Sequence, residues 1–347
     1  MNVRFDVANW GGSGPAWERV RGTLLHQKVD RLPITAWRHF PGFEQSADSI
    51  ARAHLAFQMR YGFDLLVVRP QFGYAAIPWG FAPSSDRNDY GFPITSERPL
   101  EDTKEWPQLD PIRCESAYEH IAQSVRIIKR NLPEDVPIIL TVYGPLTTAH
   151  FLRGERLVGD LEPKEDNGYD PNFLGALAVI TQGIEQLIEQ CRKWIDGVYY
   201  ISHFTSSDLF SDHEFAVSAM AKDLSLLRSM SAMEKLLILH LHGNELLYDE
   251  VLDYPVDVLS WHDRWVKPSL RDARMKTNTV LMGGLNEADT MHRETPAAVA
   301  LQIGDAISQV EGRGLILSPG GPINLDTPSE NLRALVTTLR ELSESSG

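Results

Sequence analysis

Eight times along this 347-residue chain, a short apolar run with strand composition is followed by a longer stretch with helical spacing. The repeated order of strand, helix and strand favours parallel pairing with right-handed crossovers. Eight such units predict a (β/α)8 TIM barrel whose site lies at the carboxyl ends of the strands. A doubly wound open sheet is the alternative fold. The eight predicted strands are residues 32–37, 64–69, 137–143, 197–202, 235–241, 256–261, 279–284 and 314–318.

The segments between these runs predict one domain over residues 1–347, because no Ser/Gly-rich linker interrupts the repeated pattern. Residues 1–30 form a predicted N-terminal helical extension, and residues 71–110 a long loop insertion after the second strand. We expect that insertion, rich in Pro and Trp, to form a wall or lid beside the mouth of the barrel. The predicted helices are residues 16–27, 48–61, 117–131, 172–194, 214–230 and 329–343.

The composition and charge of the chain argue against several classes of binding partner and location. The formal charge of −14 repels polyanions, which argues against nucleic acid. No apolar stretch approaches the roughly 20 residues needed to cross a bilayer, and residues 1–15 lack the pattern of a signal peptide. The two cysteines, Cys114 and Cys191, are too few for a disulfide framework or a thiolate metal cage. We therefore expect a soluble cytoplasmic protein that binds a small molecule.

The fifth apolar run ends in His240-Leu-His242-Gly243, and the sixth ends beside His262. Because side chains alternate along a strand, His240 and His242 point to the same face. Three imidazoles from neighbouring units could bind a divalent metal such as zinc and leave a fourth position open for catalysis. Alternatively, the histidines only hydrogen-bond loop carbonyls. Asp263 could orient His262 or cap the following turn.

Other polar residues also follow the predicted strands, where a barrel carries its site. Guanidinium groups match carboxylate or phosphate oxygens, so two or more inward-facing arginines would indicate an anionic ligand, whereas any one of them could be a solvated loop residue. Paired glycines near the last strand permit a tight turn close to a ligand. The predicted substrate-binding residues are Arg38, Arg69, His150, Ser202, His203, Arg264, Gly320 and Gly321, with Thr147 and Arg153 nearby.

Several segments, in this order, resemble the uroporphyrinogen decarboxylase superfamily, which also contains methyltransferases that act on or through corrinoid cofactors. The resemblance implies a barrel with its site at the carboxyl-terminal mouth, and a homodimer. The segments are Tyr143-Gly-Pro-Leu-Thr-Thr148, His240-Leu-His-Gly243, Trp261-His-Asp-Arg264, Met282-Gly-Gly-Leu285, Leu317-Ser-Pro-Gly-Gly321 and Thr327-Pro-Ser-Glu-Asn331.

The decarboxylase branch has two early arginines that hold substrate carboxylates. Here Arg38 matches the first, while Gly42 stands at the second, and a late histidine of that branch is replaced by Gly320 or Gly321. Asp64 resembles the aspartate that holds the pyrrole nitrogens in the decarboxylases. In the methyltransferase branch a His-x-Cys pair binds zinc at the fifth strand; here His242 stands in the cysteine position, and a further cysteine is replaced by Gly320 or Gly321.

The leading hypothesis is an enzyme that performs metal-assisted methyl transfer involving a corrinoid or a methylated small molecule, with a corrinoid protein as a candidate partner. His240, His242 and His262 are its predicted catalytic and metal-binding residues. The first alternative is cofactor-free decarboxylation of uroporphyrinogen III to coproporphyrinogen III in porphyrin biosynthesis, with Arg38 and Asp64 binding and protonating the substrate. The second is a non-catalytic barrel that binds a tetrapyrrole or corrinoid.

Overall fold

The computed structural model describes residues 6–110, 113–132, 135–161, 169–210 and 213–344. Its centre is a curled sheet of seven parallel strands in the order β1-β4-β5-β6-β7-β8-β9, and two further strands form a separate antiparallel pair, β2 and β3. Residues 1–5 of the predicted N-terminal extension lie outside the described part. The strands are β1 Leu66–Val68, β2 Ala82–Pro83, β3 Ser96–Glu97, β4 Ile138–Tyr143, β5 Gly197–Ser202, β6 Leu236–Leu241, β7 Val258–Ser260, β8 Val280–Leu285 and β9 Leu315–Pro319.

Seven of the eight predicted strands are confirmed, and the first is not a strand. Within residues 32–37 only Ile34 forms a bridge, to Leu317 of β9. The segment still joins both edges of the sheet, because Thr35 N donates to Leu317 O at 3.0 Å and Asp64 N, just before β1, donates to Ile34 O at 2.9 Å. Pro33 has no N–H to donate, which explains why a regular ladder does not extend through this run.

Residues 71–110 contain more regular structure than a loop insertion would. They include β2 and β3 and two 3-10 helices, Ile77–Trp79 and Thr103–Gln108. Trp106 anchors the end of the segment: its indole is fully buried and donates to Asp160 Oδ2 at 3.0 Å. The segment is therefore held against the body of the protein.

The helices surround the sheet, and most agree with the predictions to within a few residues. The predicted helix 214–230 is divided in two at Leu224, next to the buried Asp223, whose backbone oxygen accepts a hydrogen bond from the Tyr200 hydroxyl. Among the described residues, no helix combines the length and apolar character of a membrane span. The helices are α1 Pro15–Leu24, α2 Ala47–Tyr61, α3 Arg113–Asn131, α4 Pro145–Arg153, α5 Leu157–Asp160, α6 Pro171–Cys191, α7 His213–Asp223, α8 Ser225–Met230, α9 Leu270–Lys276, α10 Pro296–Gln309 and α11 Ser329–Glu344.

Helix α1, within the predicted N-terminal extension, lies at the amino-terminal end of the sheet. Trp17 and Val20 are fully buried in the core, and Arg19 on the same helix reaches Asp64 Oδ1 at 2.9 Å. Because Asp64 precedes β1, this contact places α1 at the floor of the fold. The opposite end, where the strands finish, remains open for a site.

Candidate active site at the carboxyl ends of the strands

A cavity of about 350 Å³ opens where the parallel strands end. Among the described residues that line this cavity, Glu287 supplies the carboxylate and Arg69 the guanidinium. A second cavity of about 260 Å³ adjoins the first, and His203, His242, His262 and Trp265 line both. The larger cavity is walled by seven aromatic side chains, Trp37, Phe72, Tyr90, Phe92, Tyr143, Tyr199 and Trp265.

His240 is held in place from both neighbouring strands. Its Nδ1 lies 2.8 Å from the hydroxyl of Tyr199 on β5 and 3.3 Å from Oγ of Ser260 on β7. Burial, with smaller contributions from His262 and His242, lowers the pKa of His240 well below its ordinary value. The imidazole is therefore neutral at neutral pH, and Nε2 is the ring nitrogen left for a ligand.

His262 is held by a carboxylate that the sequence analysis missed. Its Nδ1 lies 2.6 Å from Oε1 of Glu287, and both side chains are almost fully buried. Glu287 follows the end of β8 by two residues, so the strand-end rule that selected the histidines could also have selected it. Of the two roles considered for Asp263, orienting His262 is not observed: Asp263 Oδ1 accepts a hydrogen bond from Gly284 N at 2.8 Å.

The three predicted metal ligands come together. One ligand atom from each of His240, His242 and His262 lies within 4.8 Å of the other two. Donors about 2.1 Å from a tetrahedral ion are separated by roughly 3.4 Å, so modest ring rotations would complete the set. His242 is the most exposed of the three, yet protein atoms surround much of its ring. This desolvation is the main cause that lowers the pKa of His242, and the nearby His262 adds to it. Two of the three rings, His240 and His262, have Nδ1 held by a neighbouring side chain, and with His242 beside them the set fits a divalent metal.

Gly320 and Gly321 let the chain approach His262 closely. A Cβ atom at Gly321 would lie 2.5 Å from Cε1 of His262, and one at Gly320 would lie 2.8 Å from its Cα atom. Such distances are below any normal contact, so a side chain at either position would force His262 or the turn to shift. The glycines thus shape the histidine cluster, and Gly321 also lines the larger cavity.

Three further predicted residues reach the cavities. Arg69 lines the larger one, with Nη2 3.0 Å from Nε2 of the buried His39. His203 lies where the two cavities meet, its ring centroid 4.6 Å from that of His242, and burial lowers its pKa well below the ordinary value. His150 lines the smaller cavity, with Nε2 3.6 Å from Glu155.

Three other predicted site residues face elsewhere in the structure. Ser202 is fully buried and donates its hydroxyl to Asp223. Arg264 packs on α10, where Nη2 donates to Gln302 O at 3.2 Å, and Arg153 pairs with Asp160 at 2.8 Å. These side chains are committed to internal contacts, so we assign them no part in ligand binding.

The two residues on which decarboxylation depended also lie outside the cavity. Arg38 lies over the Phe40 ring at 5.9 Å and does not line either cavity. Asp64 is at the amino-terminal end of β1, where its carboxylate contacts Arg31 at 2.5 Å and accepts from Ile34 N at 3.0 Å. Asp64 thus lies at the opposite strand ends from the two cavities, and the structure does not support its predicted catalytic role. The cofactor-free decarboxylase hypothesis therefore loses both of its named side chains.

Comparison with known proteins gives the family. Residues 26–342 match the family model of uroporphyrinogen decarboxylase (URO-D), and the chain belongs to this family. It is 24% identical over 352 residues to the methylcobamide:CoM methyltransferase MtbA of Methanosarcina acetivorans, an alignment that covers 92% of this chain and 96% of that protein.

Solved structures show the same fold. A methyltransferase from Methanosarcina mazei superposes with a TM-score of 0.76 at 18% identity, covering 95% of this chain and 99% of that chain. A putative vitamin-B12 independent methionine synthase from Listeria monocytogenes gives 0.52 at 10% identity, covering 92% and 98% of the two chains.

Proposed function

We propose that this protein is a methyltransferase that moves a methyl group between a corrinoid and a small molecule in the aromatic cavity, with a divalent metal held by His240, His242 and His262. The observation that carries the proposal is the convergence of three imidazoles, with one ligand atom of each within 4.8 Å of the others, at the cavity wall. The similarity to a methylcobamide:CoM methyltransferase supports the choice of reaction. Arg38 and Asp64, the side chains that decarboxylation needed, lie outside the cavity.

The roles of the protein side chains follow from their contacts. Glu287 holds His262 through Nδ1, and Tyr199 and Ser260 hold His240 through Nδ1, so that Nε2 of each ring is left for the metal. A metal bound there would act as a Lewis acid that activates a thiol acceptor or polarises a methyl donor. The aromatic walls give the reacting groups a largely apolar surrounding, and Trp265, which is 57% exposed and lines both cavities, would contact an approaching corrinoid.

Three finer features belong to the same proposal. Zinc is the proposed metal, since it accepts three imidazoles and an open fourth position. The segment around Ile34, bonded to both edge strands, is proposed to close the sheet into a barrel. A homodimer and a separate corrinoid protein as methyl carrier are the proposed assembly and partner.

The test combines metal analysis with turnover. Protein purified without an affinity tag is expected to bind close to one zinc per chain. It should also consume methylcobalamin, followed by visible absorbance, when thiol acceptors including coenzyme M are supplied. His240→Ala should lose both properties, whereas Arg264→Ala, outside the cavity, should keep them. Absence of bound zinc, or equal turnover in His240→Ala, would contradict the proposal.

A further inference from the structure

We infer that the small molecule bound in the larger cavity is an aromatic carboxylate, with its anionic group at Arg69 and its ring between the aromatic walls. The inference rests on the proposed methyl transfer and specifies the substrate class. Three observations support it: the Arg69 guanidinium has no acidic partner among the described residues, the cavity walls are aromatic, and the cavity is small.

Arg69 differs from the other buried arginines. Arg31, Arg69 and Arg153 are each at most 8% exposed. Arg31 pairs with Asp64 at 2.5 Å and Arg153 with Asp160 at 2.8 Å. Among the described residues, no acidic oxygen lies within 4.0 Å of the Arg69 guanidinium, whose hydrogen-bond contact is with Nε2 of His39. Because a buried charge is costly unless it is paired, Arg69 calls for an anion from outside the protein.

The walls of the cavity indicate what this anion is attached to. Seven aromatic side chains line it, and rings pack favourably edge-to-face or offset at centroid separations of about 4.5–7 Å. The cavity of about 350 Å³ is near the lower end of the roughly 300–1,000 Å³ range of ligand sites. A single ring with small substituents matches both the walls and the size.

An aromatic cage can also bind a cation, but the charges here oppose one. Arg69 lies in the same cavity, and a metal at the three histidines would add further positive charge. Glu287, the acidic residue of the lining, is bound to His262 through Oε1, which leaves one buried oxygen, Oε2, against the charges of Arg69 and the metal. The electrostatic balance therefore favours an anionic ligand over a methylated ammonium group.

Calorimetric titration of the full chain with four matched probes tests the assignment. Benzoate is the reference; benzamide keeps the ring without the charge, cyclohexanecarboxylate keeps the charge without the aromatic ring, and benzyltrimethylammonium reverses the charge. We expect benzoate to bind at millimolar concentrations and benzamide to bind at least about tenfold more weakly, since it loses a charge-assisted hydrogen bond. Cyclohexanecarboxylate should bind more weakly than benzoate, and the cation should not bind. Equal binding of benzoate and either neutral or saturated analogue would overturn the inference.

Variants locate the site. Arg69→Met should reduce benzoate affinity about tenfold or more and abolish the preference over benzamide, whereas Arg38→Met, a neighbouring arginine outside the cavity, should change neither. Unchanged selectivity in a folded Arg69→Met protein would overturn the inference. If that variant does not fold, the probe series on the unmodified protein still decides. Methylcobalamin turnover without benzoate selectivity would remove this inference alone, and benzoate selectivity without zinc or turnover would remove the proposed function alone.

Discussion

The hydroxyl of Tyr199 on β5 lies 2.8 Å from Nδ1 of His240 on β6, and the two ring planes are inclined by 28° with centroids 5.4 Å apart. The two residues belong to neighbouring strands, so the sheet itself fixes this contact. Tyr199 thereby limits rotation of His240 and leaves Nε2 directed away from the hydroxyl. A hydrogen bond of this kind, from outside the set of ligands, orients metal-binding histidines in many proteins.

Replacing Tyr199 by Phe removes this hydrogen bond and little volume. We expect the zinc dissociation constant of Tyr199→Phe to rise by about tenfold or more, because His240 loses its orienting partner. Competition with a chromophoric chelator measures the change. Tyr200→Phe is the matched control: Tyr200 is equally buried, and its hydroxyl donates to Asp223 O at 2.6 Å on the other side of the strand. Equal loss of zinc affinity in both variants would show that the effect is general destabilisation.

Glu287→Gln tests the carboxylate that holds His262. Glutamine keeps the shape and can accept the Nδ1 hydrogen bond, but the bond is no longer charge-assisted. We expect zinc affinity to fall by roughly ten- to a hundredfold with the fold retained, as measured by chelator competition and circular dichroism.

Asp263→Asn is the control for Glu287→Gln. Asp263 is also buried and adjoins His262 in the chain, but it binds Gly284 N, and burial raises its pKa to about 6. The Asp263→Asn substitution should leave the zinc affinity unchanged, because the asparagine side-chain oxygen can still accept the hydrogen bond from Gly284 N. If Asp263→Asn weakened zinc as much as Glu287→Gln does, the specific role of Glu287 would be rejected.

The sequence predicted the strands well because buried parallel strands appear as continuous apolar runs between helical segments. It also predicted the histidine cluster, since alternation along a strand and the common direction of parallel strands together determine where side chains meet. The first run failed because Pro33 interrupts hydrogen bonding, a local effect that the apolar pattern does not reveal.

Side-chain direction at strand ends could not be predicted as well. Arg38 and Arg69 both follow apolar runs, yet Arg69 enters the cavity while Arg38 turns onto Phe40. Asp64 stands before its strand, so a residue only a few positions from Arg69 lies at the opposite end of the sheet. Glu287 follows a strand end and could have been selected as a site residue, but its role could not be predicted, because it depends on contact with a histidine 25 residues away in the chain.

Gly321→Ala tests the close approach of the last strand's turn to His262. The added methyl group would lie 2.5 Å from Cε1 of His262, so the ring or the turn must shift, and the contact of His262 with Glu287 is disturbed. We expect weaker zinc binding and a loss of roughly 1–3 kcal/mol in the free energy of unfolding, typical of overpacking. Gly304→Ala on α10 is the control, because its Cβ would meet no atom within 4 Å and should stabilise the helix by up to about 1 kcal/mol. Unchanged zinc affinity in Gly321→Ala would contradict the proposed packing.

Asp223 should make stability depend on pH independently of the metal site. Burial raises its pKa from 3.8 to about 6, so the folded protein holds the proton more tightly than the unfolded chain. The stabilising effect of the protonated carboxyl is fully present below about pH 4 and is lost as the pH rises through 6, by up to about 3 kcal/mol. Asp223→Asn has no titrating carboxyl at this position. The difference between its free energy of unfolding and that of the unmodified protein should therefore change in favour of the variant as the pH rises from 4.5 to 7.5. Urea unfolding of both proteins across this range measures the difference. Asp263→Asn is the control, because it changes a different buried carboxyl and should keep the pH-dependent contribution of Asp223. A constant difference between Asp223→Asn and the unmodified protein would mean that the Ser202 hydroxyl and the Leu146 N–H, which donates at 2.7 Å, keep the carboxylate ionised despite its burial.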